Sequence, residues 1–159
     1  MADITIISVG TLKEGYLKDA VLEYKKRLLQ YARVEEINLK EERISDEDNA
    51  AEIQRALNAE GDRILAAVPK GSSIVAMCVE GVQTDSPALA SRIGKMIDER
   101  GRIAFVIGSS HGLSDKVKVA AELKLSVSKL TFPHQLMRVI LLESVYRSFT
   151  ILAGKKYHK

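Results

Sequence analysis

Short apolar runs alternate with amphipathic helical segments along the whole chain of 159 residues. Runs rich in valine and isoleucine are typical of strands buried on both faces, whereas apolar residues three and four positions apart indicate helices. Five strand–helix repeats predict an α/β fold, with a mainly parallel sheet covered by helices on both faces. The predicted strands are 4–9, 33–39, 73–79, 103–108 and 124–128, and the predicted helices are 16–31, 50–68, 86–101, 114–123 and a last one that starts at Pro133.

The chain is predicted to form a single domain over residues 1–159. Its length suffices for one sizeable core, and it contains no repeat, low-complexity stretch or linker. Local signals mark the helix boundaries. Ser86 is expected as the N-cap of the third helix, with Pro87 at the first helical position and Gly101 at the end. Gly61 is expected to interrupt the second helix.

Cysteine usage and hydropathy limit the environment in which we expect the protein to work. The single cysteine, Cys78, cannot form an internal disulfide, and no His/Cys/Asp cluster has the spacing of a metal site, so no metal is expected. The N-terminal apolar run follows an acidic residue and is shorter than a secretory signal. No apolar stretch approaches the ~20 residues of a membrane span. We therefore expect a cytoplasmic protein without a membrane partner.

The mild net charge of +3 is unevenly distributed. Residues 133–159 contain five basic side chains and one acidic side chain, whereas residues 35–52 contain eight acidic side chains and two basic ones. An anionic partner is therefore expected at the C-terminal end. The alternative is that both segments are simply solvated surface.

Familiar catalytic motifs do not occur in the sequence. The segment GTLKEG at 10–15 has the glycine spacing of a P-loop, but Tyr16 and Leu17 stand where lysine and serine or threonine are required. No GxGxxG follows the first strand, and no HExxH is present. The segment GSSHG at 108–112 follows a predicted strand, and its glycines suit a close approach of the backbone to a flat ligand.

The predicted topology places any ligand beyond the carboxyl ends of the strands, as in other open parallel sheets. Three loops of this chain occupy such positions. They follow Val79, Ile107 and Ser128.

The last helix is apolar around its whole circumference over residues 139–149. Such a helix must be buried on all sides, so it is predicted to contact a second subunit in an isologous dimer, or else to lie centrally within one chain. His134 and Arg138 share one face near the helix start, where exposed N–H groups favour negative ligands or a capping contact. Glu143 and Arg147 are spaced for a local ion pair.

Two segments of the C-terminal half closely resemble the RlmH (YbeA) family of SPOUT methyltransferases. They are FVIGSSHGL at 105–113 and LSVSKLTFPHQLMRVILLESVYRSFTILAGKKYHK at 125–159. Segments 4–28 and 60–68 are similar to the N-terminal half of the same family, so the resemblance covers essentially the whole chain. It implies the α/β-knot fold with a C-terminal trefoil knot, which strand–helix alternation alone does not predict.

The resemblance also implies a substrate and a reaction. Members of this family transfer a methyl group from S-adenosylmethionine to N3 of a pseudouridine, position 1915 in helix 69 of the large-subunit ribosomal RNA, and they act as homodimers. The small net charge of this chain favours RNA presented by an assembled ribosome over free RNA.

By position, the resemblance places the S-adenosylmethionine pocket at the three strand ends. Ser109 stands where the family commonly has a second glycine, and a positive φ there would strain a serine. Met77 stands where leucine is frequent, a tolerable exchange for packing against adenine. The implied cofactor-binding residues are Met77, Gly108, Val127, Ser128, Lys129, Leu130, Thr131 and Phe132.

Methylation at N3 requires loss of the imide proton, and nearby cations would stabilise the resulting anion. The candidate catalytic residues are His134 and Arg138 on the last helix, and Tyr157 and His158 in the C-terminal tail. We expect the tail to reach across the dimer to the partner's cofactor, where His158 positions or deprotonates the base. The candidate RNA-binding residues are Arg147, Lys155, Lys156 and Lys159.

Three other interpretations remain open from the sequence. The first is a related SPOUT enzyme that acts on another RNA, such as tRNA. The second is a non-catalytic dimeric factor associated with ribosomes, whose cofactor site is vestigial. The third is a flavodoxin-like nucleotide-binding module, against which the lack of a phosphate loop after the first strand weighs.

Overall fold

A computed structural model describes all 159 residues of the chain. Strands and helices alternate from one end to the other, which confirms the predicted α/β class. The elements are β1 (Ala2–Val9), α1 (Gly15–Leu28), β2 (Ala32–Leu39), α2 (Ala50–Ala67), β3 (Ser73–Val82), α3 (Ser86–Arg100), β4 (Arg102–Ile107), α4 (Asp115–Ala120), β5 (Leu123–Leu125) and α5 (His134–Leu152).

The five strands form one sheet in the order β2-β1-β4-β3-β5, and every neighbouring pair is parallel. The central strands β1 and β4 are buried on both faces over most of their length, as expected of strands with few polar side chains. From β1 the chain runs to β2 on one side and then crosses to β3 on the other. This change of direction opens a crevice at the carboxyl ends of the central strands.

Helices cover both faces of the sheet, as predicted. One face packs against α1, α3 and α5 around a core of 20 buried residues that includes Val21, Phe105 and Leu142. The opposite face packs against α2 and α4 around a smaller core that includes Ile64 and Val117. No helix combines the length and the apolarity that crossing a bilayer requires.

The start of α3 differs from the sequence-based expectation by one residue. Asp85, rather than Ser86, is the N-cap, since its side chain accepts a hydrogen bond of 2.8 Å from the backbone N–H of Ala88. A carboxylate at this position also interacts favourably with the helix dipole. At the other end, the prediction for Gly101 is confirmed, because this residue adopts the left-handed conformation that terminates the helix.

The expected interruption of α2 at Gly61 is wrong, because the helix continues through this residue without a break. Gly61 is buried, and a Cβ atom on it would lie 2.2 Å from Oγ of Ser114. The glycine therefore lets α2 pack closely against the residue that precedes α4. Its role is to make room for a neighbour rather than to break the helix.

The edge of the sheet is more irregular than predicted. β5 contains only three residues, whereas β3 runs to Val82 and has an irregular register between Met77 and Val82. Beyond β5 the backbone N–H of Ser126 still donates to the carbonyl of Val82 at 3.0 Å. The residues after Ser126 then form an irregular segment that leads to α5.

Candidate functional site

A cleft of about 650 Å³ lies at the carboxyl ends of β3, β4 and β5. Its walls come from three segments, at 77–80, 107–113 and 125–134, together with single residues of α4 and α5. These segments include the three loops at which the sequence predicts a ligand. The volume is in the range of sites for small molecules and cofactors.

The wall formed by 107–113 depends on two glycines. A Cβ atom on Gly108 would lie 2.2 Å from the carbonyl oxygen of Gly112, so only glycine fits at this position. Gly112 has a φ of +91°, and its N–H donates to the carbonyl of Ser109 at 2.9 Å. Ser109 itself does not have a positive φ, so the strain considered from the sequence is absent.

The opposite wall, residues 125–134, is held by short hydrogen bonds of its own serines. Ser126 Oγ donates to the carbonyl of Ser128 at 3.1 Å, and Ser128 Oγ accepts from the N–H of Leu130 at 3.0 Å. These bonds fix a non-repetitive backbone that no strand or helix supports. Leu130 exposes 72% of its surface at this wall.

Most of the residues that the resemblance implies for the cofactor come together in this cleft. Lys129 is the exception, since it does not line the cleft although both of its neighbours do. The implied residues that line the cleft are Met77, Gly108, Val127, Ser128, Leu130, Thr131 and Phe132.

An ion pair in the cleft was not anticipated from the sequence. Nζ of Lys118 lies 2.5 Å from Oε1 of Glu80, and both side chains line the cleft. The hydrogen bond from Lys118 lowers the pKa of Glu80, and the same bond raises the pKa of Lys118. The two residues are 38 positions apart on a strand and a helix, so no local spacing could have revealed the pair.

His134 is the first residue of α5 and lines the cleft on the side of β1. It faces the turn after β1, where Gly10 has a φ of +93°. A Cβ atom on Gly10 would lie 4.0 Å from Nε2 of His134 and 3.8 Å from Oε2 of Glu41. The imidazole therefore stands between the cleft and the strand-end turn, where it is accessible to a molecule in the cleft.

Arg138 does not line the cleft, although it is one turn from His134. Its side chain is buried with 2% exposure, and it donates hydrogen bonds of 2.7 Å to Oδ1 of Asn38 and to the carbonyl of Gly10. Its Nε atom has no partner. Burial lowers the pKa of Arg138, an effect that the charge of Glu36 opposes. The structure thus places this predicted catalytic residue where it holds the ends of β1 and β2 against α5.

The C-terminal tail folds back onto α5. Oη of Tyr157 donates to Oε1 of Glu143 at 3.1 Å, and Nη1 of Arg147 lies 3.3 Å from Nδ1 of His158. The Arg147 guanidinium lies 4.6 Å from the ring centroid of Tyr157, and it forms the predicted ion pair with Glu143 at 2.5 Å. Burial, and then the hydrogen bond to Glu143, raise the pKa of Tyr157. Lys155, Lys156 and Lys159 are exposed beside this cluster.

The acidic segment that precedes α2 is tied to the body of the protein. Buried Glu60 accepts a hydrogen bond of 2.8 Å from the N–H of Glu42. Further along, Oε2 of Glu47 lies 2.7 Å from Nε2 of His111 in the glycine-rich wall of the cleft. The segment therefore does not behave as a purely solvated loop, since it contacts one wall of the cleft.

An all-parallel α/β sheet with a cleft at its carboxyl edge fits the SPOUT class of methyltransferases, and the match to a family model establishes that class. The chain belongs to this family. Residues 2–158 match the family model described as "Predicted SPOUT methyltransferase".

Individual curated relatives are similar to this chain over almost its whole length. The chain is 48% identical over 156 residues to a protein of Caldicellulosiruptor bescii named ribosomal RNA large subunit methyltransferase H, with 98% of this chain and 99% of the relative covered. A protein of Shouchella clausii with the same name is 43% identical, and one of Methanococcus vannielii, named as putative, is 47% identical. In both cases, 99% of this chain and 99% of the relative are covered.

Proposed function

We propose that the protein methylates large-subunit ribosomal RNA at N3 of a pseudouridine, position 1915 in helix 69, with S-adenosylmethionine as the methyl donor. The observation that carries the proposal is the cleft itself, which gathers seven of the eight residues implied for the donor and has His134 at one edge. Near-full-length similarity to proteins named ribosomal RNA large subunit methyltransferase H supports the RNA class.

The residues of the cleft fit a nucleoside-type methyl donor. Apolar side chains such as Met77, Leu125 and Phe132 suit the faces of an adenine ring, while the backbone of two loops offers donors and acceptors to its edges. When bound, the donor supplies an electrophilic methyl group on a sulfonium. The protein then has to orient the acceptor nitrogen toward that methyl group and exclude water.

His134 is the residue of this chain best placed to meet the acceptor base. It lines the cleft, and it follows Pro133 at the start of α5, where free N–H groups stabilise an anion such as deprotonated N3. Arg138 acts indirectly, because its guanidinium is committed to Asn38 and Gly10. The role of Arg138 is to position the turn that His134 faces.

The tail is proposed to serve the cleft of a partner subunit in a homodimer. Tyr157 contacts Glu143, which lies nine residues after His134 on the same helix. At 1.5 Å per residue, that is about 14 Å along the axis, too far for Tyr157 and His134 to touch one base within one chain. The side of α5 that carries Glu143 also presents exposed Leu136 and half-buried Ile140, so a second copy of the helix is the natural cover for this face.

RNA binding is assigned to the basic side chains around the tail. Lys155, Lys156 and Lys159 are exposed, and Arg147 lies beneath them on α5, partly neutralised by Glu143. Four cations per chain and a net charge of only +3 give a limited electrostatic contribution to binding. Recognition therefore depends on the shape of an assembled ribosome in addition to charge.

The test is methyl transfer from labelled S-adenosylmethionine to ribosomes purified from cells that lack the protein, followed by mapping of the modified nucleotide. Label at N3 of the helix 69 pseudouridine supports the proposal. A naked stem-loop of the same sequence is the matched substrate control, and we expect it to be methylated much more slowly. Label in tRNA instead would overturn the substrate assignment, and failure to bind the donor would overturn the activity.

A further inference from the structure

The ion pair of Glu80 and Lys118 has no role in the proposed reaction, yet both side chains line the cleft. Glu80 lies in the irregular part of β3, and Lys118 lies in α4, so two separate elements present opposite charges at one end of the cleft. His134, in contrast, lies on the side of β1. The cleft therefore has a charged end near β3 and β5 and an imidazole end near β1.

The backbone around Glu80 is held in place by the neighbouring strand. A Cβ atom on the next residue, Gly81, would lie 2.7 Å from the carbonyl oxygen of Lys124. The register of β3 against β5 is irregular between Met77 and Val82, so β3 bends as it passes this contact. Glycine at position 81 permits the contact and thereby fixes where Glu80 stands.

The pair keeps hydrogen-bonding capacity for a ligand. The side chain of Glu80 is 57% exposed and that of Lys118 is 25% exposed, and neither has another ion-pair partner. An ammonium has three donors and a carboxylate can accept several hydrogen bonds, so a single contact uses only part of each group. A partly exposed ion pair contributes little to the free energy of folding, so stability alone gives this pair only a small role.

We propose that Glu80 and Lys118 form a receptor for an amino-acid headgroup, in which the carboxylate of Glu80 accepts from the ligand's ammonium and the ammonium of Lys118 donates to the ligand's carboxylate. This inference rests on the proposed function, since S-adenosylmethionine carries such a headgroup. This receptor would fix the orientation of the methyl donor within the cleft. The headgroup occupies the end near β3, and the imidazole end remains for the acceptor base.

Two ligands separate this role from any other role of the pair. S-adenosylhomocysteine carries the headgroup, whereas 5′-methylthioadenosine is the same thioether nucleoside without it. We would measure the affinity of both for the full-length protein by calorimetry, in the wild type and in Glu80→Met and Lys118→Met. The matched control is Lys116→Met, which removes a lysine of the same helix whose partner, Asp62, lies outside the cleft.

We expect each cleft variant to bind S-adenosylhomocysteine about 10- to 100-fold more weakly, the usual effect of losing a hydrogen bond between charged groups. Binding of 5′-methylthioadenosine should stay within about twofold of the wild type, which also shows that the cleft has kept its shape. Lys116→Met should match the wild type for both ligands.

Other outcomes would overturn the inference in distinguishable ways. Unchanged binding of both ligands, or an equal loss of both, would assign the pair to the structure of the cleft and leave the proposed function intact. A wild-type protein that binds neither ligand would remove the proposed function and this inference together.

Discussion

Arg138 donates a hydrogen bond of 2.7 Å to the carbonyl oxygen of Gly10, 128 residues earlier in the chain. The contact joins the second turn of α5 to the end of β1, while the second guanidinium nitrogen holds Asn38 near the end of β2. A single buried cation thus fixes two strand ends beside His134. It accounts for a buried arginine on α5.

Replacement of Arg138 should lower the free energy of unfolding. In Arg138→Met, the carbonyl of Gly10 and the amide of Asn38 lose their partner within the protein, and we expect the free energy of unfolding to fall by about 2–4 kcal/mol. Urea unfolding measures the change. Arg92→Met is the control, because Arg92 is exposed and has no hydrogen-bond or ion-pair partner. A loss below about 0.5 kcal/mol in Arg138→Met would show that the contact does not hold the strand ends.

The wall of the cleft at Gly108 should tolerate no side chain. In Gly108→Ala, the new methyl group collides with the carbonyl of Gly112, so the loop must move. We expect methyl transfer to fall by about 100-fold, which is typical of a displacement near 1 Å at a reacting centre. Single-turnover methyl transfer and the binding of S-adenosylhomocysteine measure the effect.

Gly15→Ala is the matched control for this substitution. Nothing lies within 4 Å of a Cβ atom at Gly15, which begins α1 without a positive φ. Alanine there should leave activity unchanged and raise stability by up to about 1 kcal/mol. Normal activity in Gly108→Ala would mean that the loop relaxes freely and does not define the cleft.

The tail should stay on α5 well into the alkaline range. Burial and the hydrogen bond to Glu143 raise the pKa of Tyr157, so the neutral phenol is favoured in the folded protein. A raised pKa means that this stabilisation is complete below the ordinary pKa of about 10 and is lost as the pH rises through the folded value. Absorbance of tyrosinate, taken as the difference between wild type and Tyr157→Phe, follows this titration.

Glu143→Gln tests a further cause of the raised pKa of Tyr157, which is the negative charge of Glu143. It removes a negative charge but leaves an amide oxygen that still accepts from the phenol, so the pKa of Tyr157 should fall part of the way toward its ordinary value. A titration of Tyr157 at the ordinary value in the wild type would mean that the tail is detached from α5 in solution.

Local patterns in the sequence predict the sheet, its helices and the three strand-end loops around the cleft, whereas the individual cofactor residues come only from the resemblance to the family. Alternating apolar runs mark the strands, and the glycines at 108–112 mark a loop at a strand end. The N-cap of α3 was predicted one residue too late, at Ser86 instead of Asp85, since aspartate and serine both cap helices well. The trefoil knot remains a prediction from the family, because no local pattern reports how a chain threads.

Features that depend on tertiary contacts could not be predicted. Gly61 looks like a helix breaker in the sequence, and only the position of Ser114 explains it as a site of close packing. Arg138 looks like an active-site cation, and its burial is visible only when β1 and β2 are in place. The pairing of Glu80 with Lys118 likewise depends on the bend in β3.

The proposal that one subunit's tail serves its partner's cleft can be tested by mixing two inactive chains. One chain carries Gly108→Ala and keeps its tail, and the other keeps its cleft but lacks residues 155–159. Purified with two different tags, the heterodimer contains one intact cleft opposite one intact tail. We expect it to recover about half of the wild-type methyl transfer, since one of its two composite sites is complete.

The parent homodimers are the controls for this experiment, and both should be inactive while remaining folded and dimeric. A heterodimer as inactive as its parents would mean that each tail serves its own subunit, because the only intact tail would then sit on the chain with the defective cleft. Full activity in the truncated homodimer would remove the tail from the mechanism altogether. Recovery at the expected level would assign Tyr157 and His158 to a site built from two chains.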